Sequence, residues 1–273
     1  MTEQPPAHVL AAFGASEQPL PLAGGQETTW RSGDVVLKPL DRAEAEVAWQ
    51  AELFDSLACK GFRVARSLRA ADGSLVADGW CASELLMGRH VEGRWAEVIA
   101  VGERFHAALA SVPRPDFLDH RSDRWSISDR IASGELSADE YTHVKHVPRL
   151  LAVLRPLAAP SQLIHGDLTG NVLFEDGLPP AVIDFVPYWR PPAFASAIVV
   201  ADALVWEGAD EHLLAAADQV GDPAAARALA LELRADDLVD EEEAILLQAD
   251  LDERRLHARK HVVDDALVDV AGD

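Results

Sequence analysis

Short apolar runs broken by turn residues fill the first third of the chain, and helical spacing fills most of the rest. Pro19–Leu22, Thr28–Arg31 and Val35–Lys38 are separated by Ala23-Gly24-Gly25-Gln26 and by Ser32-Gly33-Asp34. That spacing predicts a β-hairpin and a further strand. Asp41 is expected to cap a helix from Arg42 to about Ala58, with Val47, Ala51, Phe54 and Ala58 on one side. Arg63–Arg69 and Leu75–Glu84 read as strands around an Asp72-Gly73 turn. After Gly88, the residues Trp95, Val98, Ile99, Gly102, Phe105 and Leu109 fall at helical spacing. Pro148 can open a helix through Leu150, Leu151, Leu154 and Leu157. From Ala193 onward the pattern is helical, apart from a Gly221-Asp222-Pro223 break.

These elements predict an α+β protein in two parts. Residues 1–86 form a strand-rich portion with one helix, and residues 87–273 a mainly helical portion. A chain of 273 residues, 49% hydrophobic, can bury a sizeable core. The N-terminus MTEQPPAHVL lacks the basic and apolar regions of a secretion signal, and Ala193–Trp206 is too short to span a bilayer. A cytoplasmic location is expected. Cys59 and Cys81 lack metal-ligand or disulfide-framework spacing. The net charge of −22 argues against nucleic acid or anionic membrane as partners, since both repel such a surface. Much of that charge is local, in the acid-dense stretch Glu232–Glu253, which reads as a solvated face.

Candidate chemistry concentrates in Leu163–Arg190, LIHGDLTGNVLFEDGLPPAVIDFVPYWR. The apolar runs Leu163-Ile164 and Ala181-Val182-Ile183 each lead into an acidic residue. Between them Val172-Leu173-Phe174 and a Glu175-Asp176-Gly177 turn outline a hairpin. Asp167, Asn171 and Asp184 are expected to converge at one end of it. Phosphoryl transfer needs such a trio: a carboxylate facing the acceptor hydroxyl, and an amide and a second carboxylate holding Mg²⁺ on nucleotide phosphates. His165 is expected to be structural, bonding the backbone near Asp184.

Lys38 ends an apolar strand, and a cleft-facing ammonium needs an anionic partner. Nucleotide phosphates and a helix carboxylate would serve, Glu46 being favoured over Glu44 and Glu52. Gly24 and Gly25 could bring backbone N–H groups near phosphates, although a Gly pair in a hairpin turn is more often just a turn. Glu84–Gly88 would join the two portions and offer backbone groups to a nucleotide base. Asp202, alone in an apolar helix, should have buried partners. Trp189 and Arg190, just after the second acid, are candidates for an acceptor site: a ring to stack on a sugar and a guanidinium for an anionic group. Packing of the loop is the competing role.

HGDLTGNVLF and VIDF, supported by GGQETTWRSGDVVLKP, resemble the aminoglycoside phosphotransferase family, a branch of the protein-kinase-like fold. The likeness of layout runs from about Leu20 to Ala209. GGQETTW, ERFHAALA and DFVPYWRPP resemble an actinobacterial subgroup of that family. The resemblance implies Asp167 for catalysis, Asn171 and Asp184 for Mg²⁺, Lys38 for the nucleotide phosphates, and ATP or GTP as donor to a small-molecule acceptor. Three residues, Leu168-Thr169-Gly170, separate Asp167 from Asn171, one fewer than the family's usual spacing, so Gly170 is expected to take the strain. Aligning Leu57-Ala58 with the family puts Gln50 where the helix Glu is expected. Val186–Pro192 replaces the usual Asp-Pro pair after the metal carboxylate. Two functional readings follow: a small-molecule kinase, and alternatively an inactive kinase-like nucleotide-binding module with a regulatory role. Oligomeric state is not legible.

Overall fold

The computed structural model describes residues 4–22, 28–139, 159–209 and 213. Gly24, Gly25, the helix expected after Pro148 and the acidic helices expected after Asp210 lie outside them. The chain divides into two compact units. The first comprises Met1–Val91 and Gly170–Asp184, the second Glu92–Thr169 and Phe185–Asp273.

The first unit is built on a six-stranded antiparallel sheet. β1 (Leu20–Pro21), β2 (Trp30–Ser32) and β3 (Val35–Pro39) run in sequence, and β3 pairs with β7 (Trp80–Glu84). β5 (Ser67–Leu68) and β6 (Val76–Ala77) both pair with β7. Alternation along β3 and β7 sorts their side chains between two faces. Leu37, Trp80 and Ala82 are buried together with Val9 and Phe13. Lys38, paired in register with Cys81, takes the opposite face.

Val9 belongs to a helix the apolar spacing had not suggested, α1 (Ala7–Ala12). It is only six residues long, too short to show a periodicity, and it exists because Val9 and Phe13 fill the sheet's covered face. The following helix, α2 (Glu44–Ser56), starts two residues later than expected and buries Val47, Ala51 and Phe54. Asp41 does not cap it. The N-cap position is Ala43, without a side-chain bond, and Asp41 accepts from Arg42 Nε at 2.9 Å instead. Leu57, not Ala58, completes the buried side.

The expected strand Arg63–Arg69 is split between two sheets. β4 (Arg63–Val64) runs parallel to β10 (Ala181–Val182), which also pairs antiparallel with β9 (Val172–Leu173). Arg63 explains the split. Its amide donates to Pro180 O, its Nε to Pro179 O and its Nη2 to Met87 O, each at 2.8 Å. The Arg89–Phe174 backbone bridge adds a second tie to the hairpin.

The second unit pairs β8 (Gln162–His165) with β11 (Pro187–Arg190) and packs them with α3 (Trp95–Leu109) and α5 (Pro192–Val205). A 3₁₀ turn (Asp116–His120) and α4 (Arg124–Ala132) lie between α3 and β8 in the chain. Here a side-chain cap is present, because Asp123 accepts from the Ser126 amide at 3.0 Å. α5 is apolar nearly all round, as a helix enclosed by its own unit must be, with Phe194, Val199 and Ala203 at 2% exposure or less. No helix among the described residues is long and apolar enough to cross a membrane.

Candidate active site

The first unit carries Lys38, Asn171 and Asp184. Asn171 and Asp184 flank β9 and β10, and the Ile183 amide donates to Asn171 O at 3.0 Å, so the hairpin ladder itself brings the two positions together. Asp184 adopts φ +50°, a left-handed conformation that only Asp, Asn and Gly enter at modest cost. Lys38 Nζ meets Asp184 Oδ1 at 2.7 Å, both side chains about one-third exposed.

Lys38 is thus ion-paired with Asp184, and Glu46, the carboxylate that the spacing favours, stands on α2. Glu46 is buried at 6% exposure, and its charge acts on Arg42. Burial pulls the Arg42 guanidinium down, but Asp41, Glu46 and Asp184 together hold it above its ordinary value. For Asp41 burial pushes upward, and the Arg42 hydrogen bond and charge outweigh it, so the carboxyl stays low. Arg42, read from sequence only as a helix start, is a second cation beside the Lys38–Asp184 pair. Two positive side chains within five residues, in a chain of net charge −22, were the available signal.

Glu84 ends β7, and its amide donates to Arg66 O at 3.0 Å while the Leu85 amide donates to Asp34 O at 2.8 Å. Both N–H groups are therefore committed within the sheet, leaving the carbonyls and the residues after Leu85 as the groups able to meet a base edge.

The second unit carries Asp167, exposed on a loop whose surroundings are buried. His165, at 0% exposure, accepts from the Asp167 amide through Nδ1 at 3.1 Å, and its own amide donates to His106 Nε2 at 3.0 Å. Burial, and secondarily the charge of His165, drives His106 down to about 3, so it stays neutral and available as the acceptor. Phe105, His165 and Phe185 meet edge to face with centroids 5.4–6.3 Å apart. Phe185 directly follows Asp184 in the chain.

Two contacts shape the loop. Leu168, 1% exposed, rests over Gly102 of α3, where a Cβ would lie 2.5 Å from its Cδ1. Gly166 faces the Tyr188 ring so closely that a Cβ would stand 2.0 Å from Cδ2. The shortened turn is accommodated by Gly170 at φ +76°. Neither His106 nor the Gly166–Tyr188 contact was visible in sequence, because each depends on a partner that the chain brings back from a distant position.

Arg190 is bonded to the chain's own carboxylates. Nη2 and Nε contact Asp129 at 2.7 and 2.8 Å, and Nη1 contacts Glu135 at 2.7 Å. With 8% exposure it braces β11 on α4, so its donors do not stand open to an acceptor. Trp189 is half-buried in β11, in register with Leu163.

The donor set fits Mg²⁺: one carboxylate and one amide oxygen are hard ligands, and this ion takes its remaining ligands from water and phosphate. Among the described residues no group of three or more His, Cys, Asp or Glu could hold a metal alone.

Residues 20–229 match the model of a family described as the phosphotransferase enzyme family. The chain belongs to that family. This phosphotransferase has no significant match among curated protein sequences. Its fold is shared with an aminoglycoside phosphotransferase from Alicyclobacillus acidocaldarius, at 16% identity and TM-score 0.60, over 100% of this chain and 97% of that one. A thermostable mutant of the aminoglycoside phosphotransferase APH(4)-Ia, in ternary complex with AMP-PNP and hygromycin B, aligns at 17% identity and TM-score 0.61, covering 97% and 98% of the two chains. A choline/ethanolamine kinase family protein from Mesorhizobium loti aligns at 17% identity and TM-score 0.55, covering 95% and 94%. The phosphotransferase therefore has the protein-kinase-like α+β fold expected from its sequence.

Proposed function

We propose that this phosphotransferase moves the γ-phosphoryl group of a nucleoside triphosphate to a hydroxyl of a small molecule. The observation that carries the proposal is the Lys38–Asp184 pair at 2.7 Å, with Asp184 in a left-handed conformation. A carboxylate held on a lysine from a left-handed backbone supports a metal and phosphate site at this position. ATP is the favoured donor, because similar structures hold AMP-PNP and ADP. Hygromycin B in one similar complex, and the choline/ethanolamine kinase name of another protein, support a small hydroxyl-bearing acceptor.

The strand-rich residues 1–86 and the Asn171–Asp184 hairpin then serve the nucleotide, while residues after 87 supply the catalytic loop and acceptor site. Lys38 releases Asp184 to bind the α- and β-phosphates, and Arg42 adds positive charge beside it. Asn171 and Asp184 would hold Mg²⁺, which would offset the charge of the phosphates. Asp167 accepts a hydrogen bond from the acceptor hydroxyl and takes its proton late, so orientation matters more than basicity. His165 and His106 fix the amide of Asp167 and thereby its direction.

Melting with and without Mg²⁺–ATP or Mg²⁺–GTP, on the parent, Asp167→Asn and Asp184→Asn, tests the reading. Nucleotide at a hundred times its dissociation constant should add about 2.7 kcal/mol to the parent's stability. Asp167→Asn should keep that shift and lose transfer by about 10²-fold or more; Asp184→Asn should lose the Mg²⁺-dependent part of the shift. No shift with either nucleotide would sink the proposal.

A further inference from the structure

A small cleft in the second unit adjoins the Asp167 loop through Tyr188. The Tyr188 ring covers Gly166, the residue before Asp167, and on its other contacts it walls the cleft together with Arg114, Arg121, Asp129, Arg130 and Arg190. The lining is basic, four arginines against the carboxylates of Asp129 and Glu135, in a chain whose net charge is −22. A pocket for a polycationic acceptor would show the reverse balance, because like charges brought together out of water repel strongly.

The four guanidinium groups are not equivalent. Arg190 is spent on Asp129 and Glu135, and Arg114 is held by Asp119 at 2.7 Å, which stands beside the lining. Arg121 donates Nη1 to Pro187 O at 2.9 Å and lies over the Phe117 ring, 5.5 Å from its centre. Asp123 is turned to the Ser126 amide and hydroxyl as the α4 cap, while the charge of Asp116 acts on Arg114. Arg130 differs from the other three. Its Nε–H is shielded from solvent with no hydrogen-bond partner among the described residues, and its ion pair with Glu135 Oε2 is long at 3.7 Å, beyond hydrogen-bond reach. A shielded N–H that is paired by charge alone leaves room for an acceptor atom at hydrogen-bond distance. The cavity itself, about 20 Å³, admits one water-sized group, the size of a single carboxylate or phosphate oxygen.

We propose that this cleft is an anion subsite in which Arg130, supported by Arg121 and Arg114, binds a carboxylate or phosphate carried by the hydroxyl acceptor. The proposal deepens the kinase reading and rests on it for the transfer step. The anion site stands on its own geometry. It places the acceptor among hydroxy acids and sugar phosphates, not polyamines. Arg190 is a positioning residue here, locking the wall that carries Asp129 and Tyr188.

The test measures melting of the full chain with Mg²⁺–AMP-PNP saturating, so that added anions cannot report on the nucleotide phosphate site. Glycerate and glycerol 3-phosphate are the anionic probes, glycerol and kanamycin the neutral and cationic ones. At least one anionic probe should raise the melting temperature while glycerol and kanamycin do not, glycerate alone indicating a carboxylate site and glycerol 3-phosphate alone a phosphate site. Arg130→Gln should weaken that anion response at least tenfold in half-saturating concentration and leave the AMP-PNP shift intact; Arg130→Lys, which keeps the charge but loses the Nε donor, should weaken it less. An anion response unchanged in Arg130→Gln, a preference for kanamycin or glycerol, or no response to either anion in the parent would overturn the subsite, the last indicating a cleft that holds only water. Failure of the kinase reading would be seen separately, as absence of the AMP-PNP shift itself. Should Arg130→Gln not fold, the comparison of probes on the parent decides alone.

Discussion

Lys38 Nζ and Asp184 Oδ1 are 2.7 Å apart, and Asp184 makes this contact from a left-handed backbone at φ +50°. The pair joins the sheet of the first unit to the end of its small hairpin. Charge and conformation at Asp184 can be separated by substitution, since Asn tolerates the left-handed region and Ala does not. Asp184→Ala should be about 1 kcal/mol less stable than Asp184→Asn in denaturant unfolding without nucleotide. Equal stabilities would show that the conformation relaxes freely.

His106 stays neutral in the fold down to about 3, whereas the unfolded chain protonates it near 6.5. Between those values the unfolded state binds the extra proton, so stability is lost as pH falls below 6.5 and the loss ends near 3. The slope attributable to this residue is about 1.4 kcal/mol per pH unit. Urea unfolding of the parent and of His106→Gln across pH 4–7 should show the difference between them shrinking as the medium becomes acidic. A constant difference would mean His106 takes up its proton in the folded state as readily as outside it.

Gly166 has no room for a side chain. A Cβ there would sit 2.0 Å from a ring carbon of Tyr188, which is itself stacked on Phe194 with centroids 6.3 Å apart. Gly166→Ala should cost about 2 kcal/mol of stability and displace the Asp167 loop. Adding Tyr188→Ala to it should recover part of the stability. Additive losses in the double variant would place the strain elsewhere.

Asp129 and Arg190 form a two-bond pair with side chains only 9% and 10% exposed. Burial raises the Asp129 carboxyl to about 6 although Arg190 pulls it down, so at neutral pH it is ionised and bound. Asp129→Asn leaves the guanidinium with Glu135 alone and should cost about 3 kcal/mol. Calorimetry that finds less than a third of that would show the brace between β11 and α4 to be dispensable.

Some of this architecture was written locally. β3 is an apolar run, β7 alternates buried and half-buried positions from Trp80 to Ser83, α3 repeats its apolar residues at helical spacing, and Glu175-Asp176-Gly177 turns the hairpin, with Gly177 at φ +78°. In each case a short window holds the whole cause: alternation, periodicity or a residue able to enter the left-handed region. HGDLTGNVLF and VIDF were legible for the same reason, since residues that flank one hairpin must stay close in sequence. α1 and the break between β4 and β5 were not legible. Each answers to a distant surface, Val9 to Leu37 and Trp80, and Arg63 to Pro179 and Pro180.

The amino-acid sequence by itself determined the two-part α+β layout, the family, and the positions of Lys38, Asp167, Asn171 and Asp184, because these follow from local pattern and motif. Tertiary structure alone decided what those residues touch. Glu46 and Asp184 are both acids within plausible reach of a strand-end lysine, and no spacing rule separates them; packing set Asp184 2.7 Å from Lys38 and buried Glu46, whose charge acts on Arg42. Arg190 looked equally suited to a ligand or to the chain's own acids until folding brought Asp129 and Glu135 beside it. Ion pairs depend on distances of a few ångströms between segments far apart in sequence, and only the closed chain sets those distances.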